Sequence, residues 1–438
     1  MTKQGTVGRL RKRPTVLLAH VQMLTPLRRR DFALLWAGMT VSLLGDGIYF
    51  VAIVWEALRL SNTAFSVSLV GLAWALPMVA LLVLGGSVGD RLERRHVLLS
   101  ASLIQAVAIG AIGIVETAGL IHLWSLLCLV AVYGAAQAFF LPAFEALVPM
   151  LVAPDELTHA SALDQFVRPL SIQLVGPALG GAVIALAGTG AAFLLDAATF
   201  AIGSCTLVAM RTPSNATDGV ARERVLDGVR EGVRFVIAHA WIWRTLLAAS
   251  VTVLLFLGPY QVLLPFLVKN ELHGGSAMLG LIRALGGVGA LLAALAISQS
   301  GLPGWAIRAM FAGWALQAVT LAGYAVAREA WLFAAISLIG GAAGAVANVI
   351  WGTLMKARVP NHLLGRVASL DWLVSIGLVP ISFALTGPVA GLIGARSTLL
   401  GGGLIAAGTL IAFMLIAGRE GSGRDREIAH AFLSAEGI

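Results

Sequence analysis

Gly45-Asp46-Gly47 places a carboxylate inside a long apolar run, about 15 residues in from its start. At about 1.5 Å of rise per helical residue, and with a hydrocarbon core of about 30 Å, that position lies past the middle of a bilayer. A charge at such depth costs on the order of 3 kcal/mol on insertion scales, so the side chain is expected in a cavity or beside a partner. Burial penalises the ionised form of a carboxyl group, which suits it to bind and release protons. Asp46 is therefore the first candidate for a proton site; the plainer reading is a hydrated carboxylate near the outer surface with no role. Asp196 sits in a second apolar run, where structural pairing and proton carriage are both open. Arg168 and Arg283 are likewise embedded. Each can bind an anionic substrate group or pair with Asp164 or Asp371, and pairing is preferred for Arg168 alone. Tyr49, Gln137, Tyr260, Gln261, Asn348 and Trp351 put polar and aromatic groups on apolar runs as substrate-cavity candidates, with packing against a neighbouring helix equally open.

Charge concentrates once more between Gly86 and Leu98, where Asp90, Arg91, Glu93, Arg94 and Arg95 fall within six residues. An apolar run ends just before this stretch and another begins just after it. It reads as a short charged turn between two membrane helices.

The runs that carry these residues set the class of the protein. A chain of 438 residues that is 58% hydrophobic and 12% charged, with mean hydropathy +0.90, cannot expose so much apolar surface to water. An all-α membrane protein with twelve transmembrane helices is predicted, at roughly 20 residues per crossing. The fifth and sixth spans are expected at 160–186 and 190–210. Residues 1–30 form a basic N-terminal tail, 31–210 a six-helix bundle, 211–242 a linker with an amphipathic surface helix, 243–418 a second six-helix bundle, and 419–438 a C-terminal tail. With both termini cytoplasmic, Lys and Arg gather on the inner side and only Arg59, Lys269, Arg328 and Arg396 fall outside, as the positive-inside rule requires. The net charge of +8 thus needs no nucleic acid to explain it. Arg9 to Arg30 flank a short apolar piece without a small-residue cleavage site, so the tail is a lipid-surface anchor or a dispensable leader before a second start at Met23, and not a signal peptide. Cys128 and Cys205 are read as small core residues, with no disulfide framework and no metal-ligand spacing.

The halves repeat. Pro154, Leu163-Asp164 and Gly176-Pro177-x-x-Gly180 are echoed by Pro360, Leu370-Asp371 and Gly387-Pro388-x-x-Gly391. Small residues four apart let helices approach closely, and proline removes a backbone hydrogen bond and bends its helix. Spans 5 and 11 therefore correspond and run the same way, giving parallel halves related by an axis along the membrane normal.

The charged turn resembles the loop between helices 2 and 3 of the major facilitator superfamily of transporters: Gly86, Asp90, Arg91, Arg94, Arg95 and Leu98 fall on matching positions, with Val88 for the usual Leu and Glu93 for the usual Gly. Phe140–Pro149, Gly176–Gly181, Asn348–Trp351 and Val359–Val367 are similar to the branch holding enterobactin exporters, macrolide efflux proteins and related multidrug pumps. The resemblance covers nearly the whole chain. It implies two pseudo-symmetric six-helix bundles, with spans 1, 4, 7 and 10 lining a cavity, spans 2, 5, 8 and 11 joining the halves, and spans 3, 6, 9 and 12 facing lipid. It also implies an inside gate in which Asp90 meets the start of span 11 and Arg94 pairs with an acid such as Glu145; orientation by the positive-inside effect is the alternative for the arginines. The arginine often found in span 4 of proton-driven drug exporters is absent, its neighbourhood reading Val132-Tyr133-Gly134-Ala135-Ala136-Gln137.

The expected function is export of an amphipathic small molecule (a drug, siderophore or secondary metabolite) by proton antiport and alternating access. Its partners are that substrate, protons and membrane lipids. The expected form is a monomer in a bacterial plasma membrane, without cofactor or metal and driven by the proton gradient. The alternatives are an importer or lipid transporter of the same fold, and a non-transporting sensor or scaffold. No phosphate-binding Gly-Lys-Ser/Thr loop, His-Glu-x-x-His pair or Gly-x-Ser-x-Gly elbow points to an enzyme.

Overall fold

The computed structural model describes residues 24–89, 91–153, 156–211, 225–300 and 302–420, and among these the chain is helical with no strand. Among the described residues eleven helices are long and apolar enough to cross a bilayer. One of them, His159–Ala209, has 51 residues, about 76 Å of helix at 1.5 Å per residue and more than twice the hydrocarbon thickness. It is broken at Gly188, whose φ of +84° only glycine adopts freely. The chain turns there, so the helix holds two crossings and the protein has twelve. The break falls between the fifth and sixth spans expected from hydropathy.

The spans are 1, Arg30–Leu60; 2, Ala64–Gly89; 3, Arg94–Thr117; 4, Leu123–Leu151; 5, 157–187; and 6, 189–209. After a connecting helix, Val225–Ala238, come 7, Ala240–Asn270; 8, Ser276–Ser300; 9, Ala306–Val326; 10, Ala330–Arg358; 11, Leu363–Ile393; and 12, Ala395–Glu420. Spans 1 and 6, 2 and 4, and 3 with 4 and 6 pack together in the first half, and spans 8 and 10 and 9 with 10 and 12 in the second. Across the molecule span 2 packs on span 11 and span 5 on span 8. These are two six-helix bundles of one architecture, joined along two seams.

Close backbone approach makes the seams. A methyl group on Gly47 would lie 2.7 Å from Cα of Gly176, and one on Gly181 would lie 3.0 Å from Cα of Gly280. The Gly-Pro box of span 5 thus touches span 1 on one side and span 8 of the other half on the next. In the repeat, Gly387 meets Phe65 of span 2, whereas Gly391 faces open space. Just before Gly176-Pro177 and Gly258-Pro259 the backbone widens into π-helical turns, Leu170–Val175 and Val253–Leu257. Each widened turn relieves the clash between a proline ring and the carbonyl four residues back.

One expectation changes. Cys128 and Cys205 are exposed instead of packed in the core. The connecting helix expected on the cytoplasmic surface packs on the second half: buried Val236 joins Ile242, Met355, Val359, Leu363 and Val367, and Glu231 pairs with Arg366. The tails at 1–23 and 421–438, the linker at 212–224 with Arg222 and Arg224, and the side chains of Leu226, Val229 and Arg230 lie outside the described residues.

Candidate functional site

The acidic residues of spans 1 and 6 meet inside the first half. Gly45, lacking a side chain, lets span 6 approach so closely that Asp196 Oδ1 and the Thr199 hydroxyl occupy the space a Cβ would need. Asp196 is fully buried; its Oδ1 accepts a hydrogen bond from Thr199 at 3.2 Å and its Oδ2 has no partner. One residue along span 1, Asp46 is partly exposed. Its Oδ1 accepts a 2.7 Å hydrogen bond from the Tyr133 hydroxyl of span 4. Asp46 and Asp196 act on each other electrostatically, and Arg168 of span 5 also lies within electrostatic reach of Asp46. Span 6 therefore does not turn Asp196 to lipid. Tyr133 and Thr199 complete a site that the sequence reading approached only through its two acids.

Tyr49 departs from its expected place in the cavity. It is 2% exposed, its ring lies 4.8 Å from that of Tyr133 and 6.1 Å from that of Phe193, and its hydroxyl has no partner. The glycines that draw spans 5 and 6 onto span 1 enclose it, so it walls the acid site. Gln137 accepts a 2.7 Å bond from the Trp74 indole, joining spans 2 and 4. Arg168 pairs with Asp164 one turn away, Nη2 to Oδ1 at 3.0 Å. Glu145 is exposed near Asp164 and Arg168.

The second half is organised around a cation. Arg283 of span 8 donates from Nη2 to Gln261 Oε1 at 2.8 Å, and its guanidinium lies 5.9 Å from the Tyr260 ring. Asp371 accepts a 3.1 Å bond from the Trp351 indole, so it serves neither arginine as a partner. Exposed Asn348 accepts from Trp314 at 3.0 Å.

At the charged turn Arg94 does not reach Glu145. It donates to the Ala146 carbonyl at 2.9 Å, one residue further along span 4. Arg95 donates to the Leu207 and Val208 carbonyls at 2.8 and 2.7 Å, capping the end of span 6. Arg91 is exposed, Gly86 has open space beside it, and Asp90 lies outside the described residues. Backbone carbonyls hold Arg94 and Arg95, and the contact expected of Asp90 in the gate lies outside the described residues.

At the opposite end of the molecule the halves touch. Lys269 Nζ of span 7 donates to the Leu58 carbonyl of span 1 at 2.6 Å, and Asn62 and Asn270 bond side chain to side chain at 2.6 Å. Beneath this contact fully buried Glu56 is held by Arg59 at 2.7 Å and by the Thr189 hydroxyl at 2.7 Å, with Glu116 completing the cluster. Toward the ends where the chain enters, the helix Asn361–Gly377, which leads into span 11, packs on the connecting helix and on the start of span 7.

Comparison with known proteins agrees with this architecture. The multidrug efflux pump Tap of Mycolicibacterium fortuitum is 29% identical, covering 86% of this chain and 91% of its own. The enterobactin exporter EntS of Citrobacter koseri is 27% identical, covering 86% and 89%. A bacterial homologue of the iron transporter ferroportin, solved in its inward-facing state, shares the fold with a TM-score of 0.65 at 19% identity over 91% of this chain and 99% of that one. The family model described as transmembrane secretion effector matches residues 21–433. The chain therefore belongs to that family of major facilitator transporters.

Proposed function

We propose that the protein exports an amphipathic small molecule (a drug, siderophore or secondary metabolite) from the cytoplasm of a bacterium in exchange for protons, by alternating access. The observation that carries the proton step is the convergence of Asp46, Tyr133 and Asp196 between spans 1, 4 and 6. Protonating Asp46 changes the charge of a water-poor interior by one unit, and such a change is felt strongly where the dielectric is low. Tyr133 reads it directly, since its hydroxyl donates to a charged acceptor when the carboxyl is ionised and to a weaker, neutral one when it is protonated. Contact at the end away from the chain termini supports a state open toward the termini, which is inward-facing with both termini cytoplasmic. Proton and substrate must each bind the two states unequally, because equal binding shifts nothing. The names of the relatives Tap and EntS support the direction, export, and the breadth of substrate.

The test uses inside-out vesicles holding an acidic interior and a pH dye, with drugs and siderophores added singly. Proton release triggered by a compound with the intact protein, and lost in Asp46→Asn, supports the reading. An equal response from the variant removes Asp46 from the proton step, and silence from both across a broad panel counts against export.

A further inference from the structure

We infer that the second half binds the substrate through an aryl-anion subsite built on Arg283, so that the exported molecule carries a negative group beside an aromatic ring. The inference rests on the export reading for the direction of movement alone; the binding it describes needs no gradient. Arg168 shows how this protein satisfies an intramembrane arginine when structure is the only need: both arms of its fork reach the carboxylate of Asp164, at 3.0 and 3.3 Å. Arg283 is treated differently. Its polar contact is the single amide oxygen of Gln261, its Nε is buried without an acceptor, and no carboxylate pairs with it among the described residues. A guanidinium has five N–H donors in a fixed fork that fits a carboxylate or phenolate two bonds at a time. A cation at membrane depth is retained in such a setting for a ligand or a pathway.

Position and surroundings specify the ligand further. Gly280 and Gly287, three residues before and four after Arg283, press against Pro177 and Gln173 of span 5. Arg283 thus lies close to the face of span 8 turned to the seam between halves, next to span 7. It is partly exposed, as are Tyr260, Gln261 and Phe256. The Tyr260 ring stacks on Phe256 with centroids 5.5 Å apart and planes 13° from parallel, and Tyr324 stands 6.4 Å away. An aromatic shelf beside a guanidinium with unused donors accepts a flat ring on the shelf and its anionic substituent on the fork. A quaternary or amine-bearing ligand meets repulsion from the same guanidinium.

Equilibrium binding of 1-naphthoate, methyl 1-naphthoate and 1-naphthylmethylamine to the full chain in phosphatidylcholine nanodiscs tests this without any gradient, so its failure is separate from failure of the proton assay. Naphthoate is expected to bind at least tenfold more tightly than its ester, and the amine most weakly. Arg283→Gln should weaken naphthoate about tenfold while changing the ester less than twofold; Arg283→Lys, which keeps the charge and loses the fork, should retain part of the preference and guards against a variant that fails to fold. Equal binding of acid and ester by the intact protein overturns the inference, as does a preference unchanged in both variants. Replacing a third of the lipid with phosphatidylglycerol distinguishes the sources of the anion: competitive loss of naphthoate binding would assign the site to a lipid headgroup and overturn the small-molecule reading.

Discussion

The two halves share a backbone plan and differ in the sign of the charge they bury. Gly188 and Gly394, with φ of +84° and +88°, turn the chain at the same place in each. Gly47 and Gly258 bring spans 1 and 7 against spans 5 and 11, and Gly71 and Gly280 make the two seams. Counted from these pairs, Tyr49 answers to Tyr260, but Asp46 answers to Leu257 and Asp196 to Gly402. The acid site has no counterpart in the second half. Trp74, which bonds Gln137, answers to Arg283. One scaffold thus holds a pair of carboxylates in one half and an unsatisfied cation in the other. A rocking transporter gains from this division, because each ligand biases the equilibrium between states through its own half.

The comparison breaks most visibly if one half can do the other's work. Asp46→Asn should reduce proton-coupled efflux at least a hundredfold in the vesicle assay, while Arg283→Gln should raise the apparent KM about tenfold with coupling intact. Uncoupling by Arg283→Gln, or a mere shift of KM by Asp46→Asn, would end the assignment of separate tasks. Nearly as large an effect should follow from tying the halves together where Asn62 meets Asn270. A cysteine pair at these positions, oxidised, should arrest transport almost completely and recover on reduction, whereas transport that continues through the cross-link would show that this contact need not open.

A smaller effect separates the two Gly-Pro boxes. Gly176→Ala drives a methyl into Cα of Gly47, against backbone that cannot swing aside, while Gly391 has nothing within 4 Å. Overpacking of this kind costs about 1–3 kcal/mol. The melting temperature in detergent should fall by several degrees for Gly176→Ala and stay unchanged for Gly391→Ala. Equal effects would mean that the second box packs as the first does.

Much of this could be read along the chain, because hydropathy and the glycine of the turn at Gly188 are local signals. Asp46, Asp196, Arg168 and Arg283 could each be recognised as charges at membrane depth. Their company could not, since which faces of spans 1, 4 and 6 meet is decided by lateral packing, with Gly45 admitting Asp196. The same packing buried Tyr49 away from the cavity and put Tyr133 where an arginine was sought. Of the Glu56, Arg59, Glu116 and Thr189 cluster only one pair is local, Glu56 three residues before Arg59 at a helical ion-pair spacing; Glu116 and Thr189 reach it from other spans. Along the chain Glu145 is the visible partner for Arg94, because a sequence displays side chains and hides the carbonyl of Ala146 beside it.

The smallest expected effect lies at the turn between spans 4 and 5, which the first half closes with a carboxylate. Glu156 Oε2 accepts the Ala153 backbone N–H at 3.1 Å and the Arg29 guanidinium at 2.6 Å. The backbone hydrogen bond first, then the arginine, hold its carboxyl below the ordinary glutamate value of 4.5. A carboxyl depressed in the folded chain stabilises it above the unfolded value, and that contribution is lost as pH falls through the lower, folded value. The group is at the surface, where water and salt screen most of the interaction. Exchange of the Ala153 amide, corrected for its intrinsic pH dependence, should therefore be slow at pH 6 and accelerate only below about 4.5, the ordinary carboxyl value. Glu156→Gln should remove that acid-side change while shifting the melting temperature at pH 7 by no more than about a degree, as expected for a surface contact. A transition that persists in the variant would belong to another carboxyl, and a large loss of stability at pH 7 would mean that this turn bears on the packing of the whole first half.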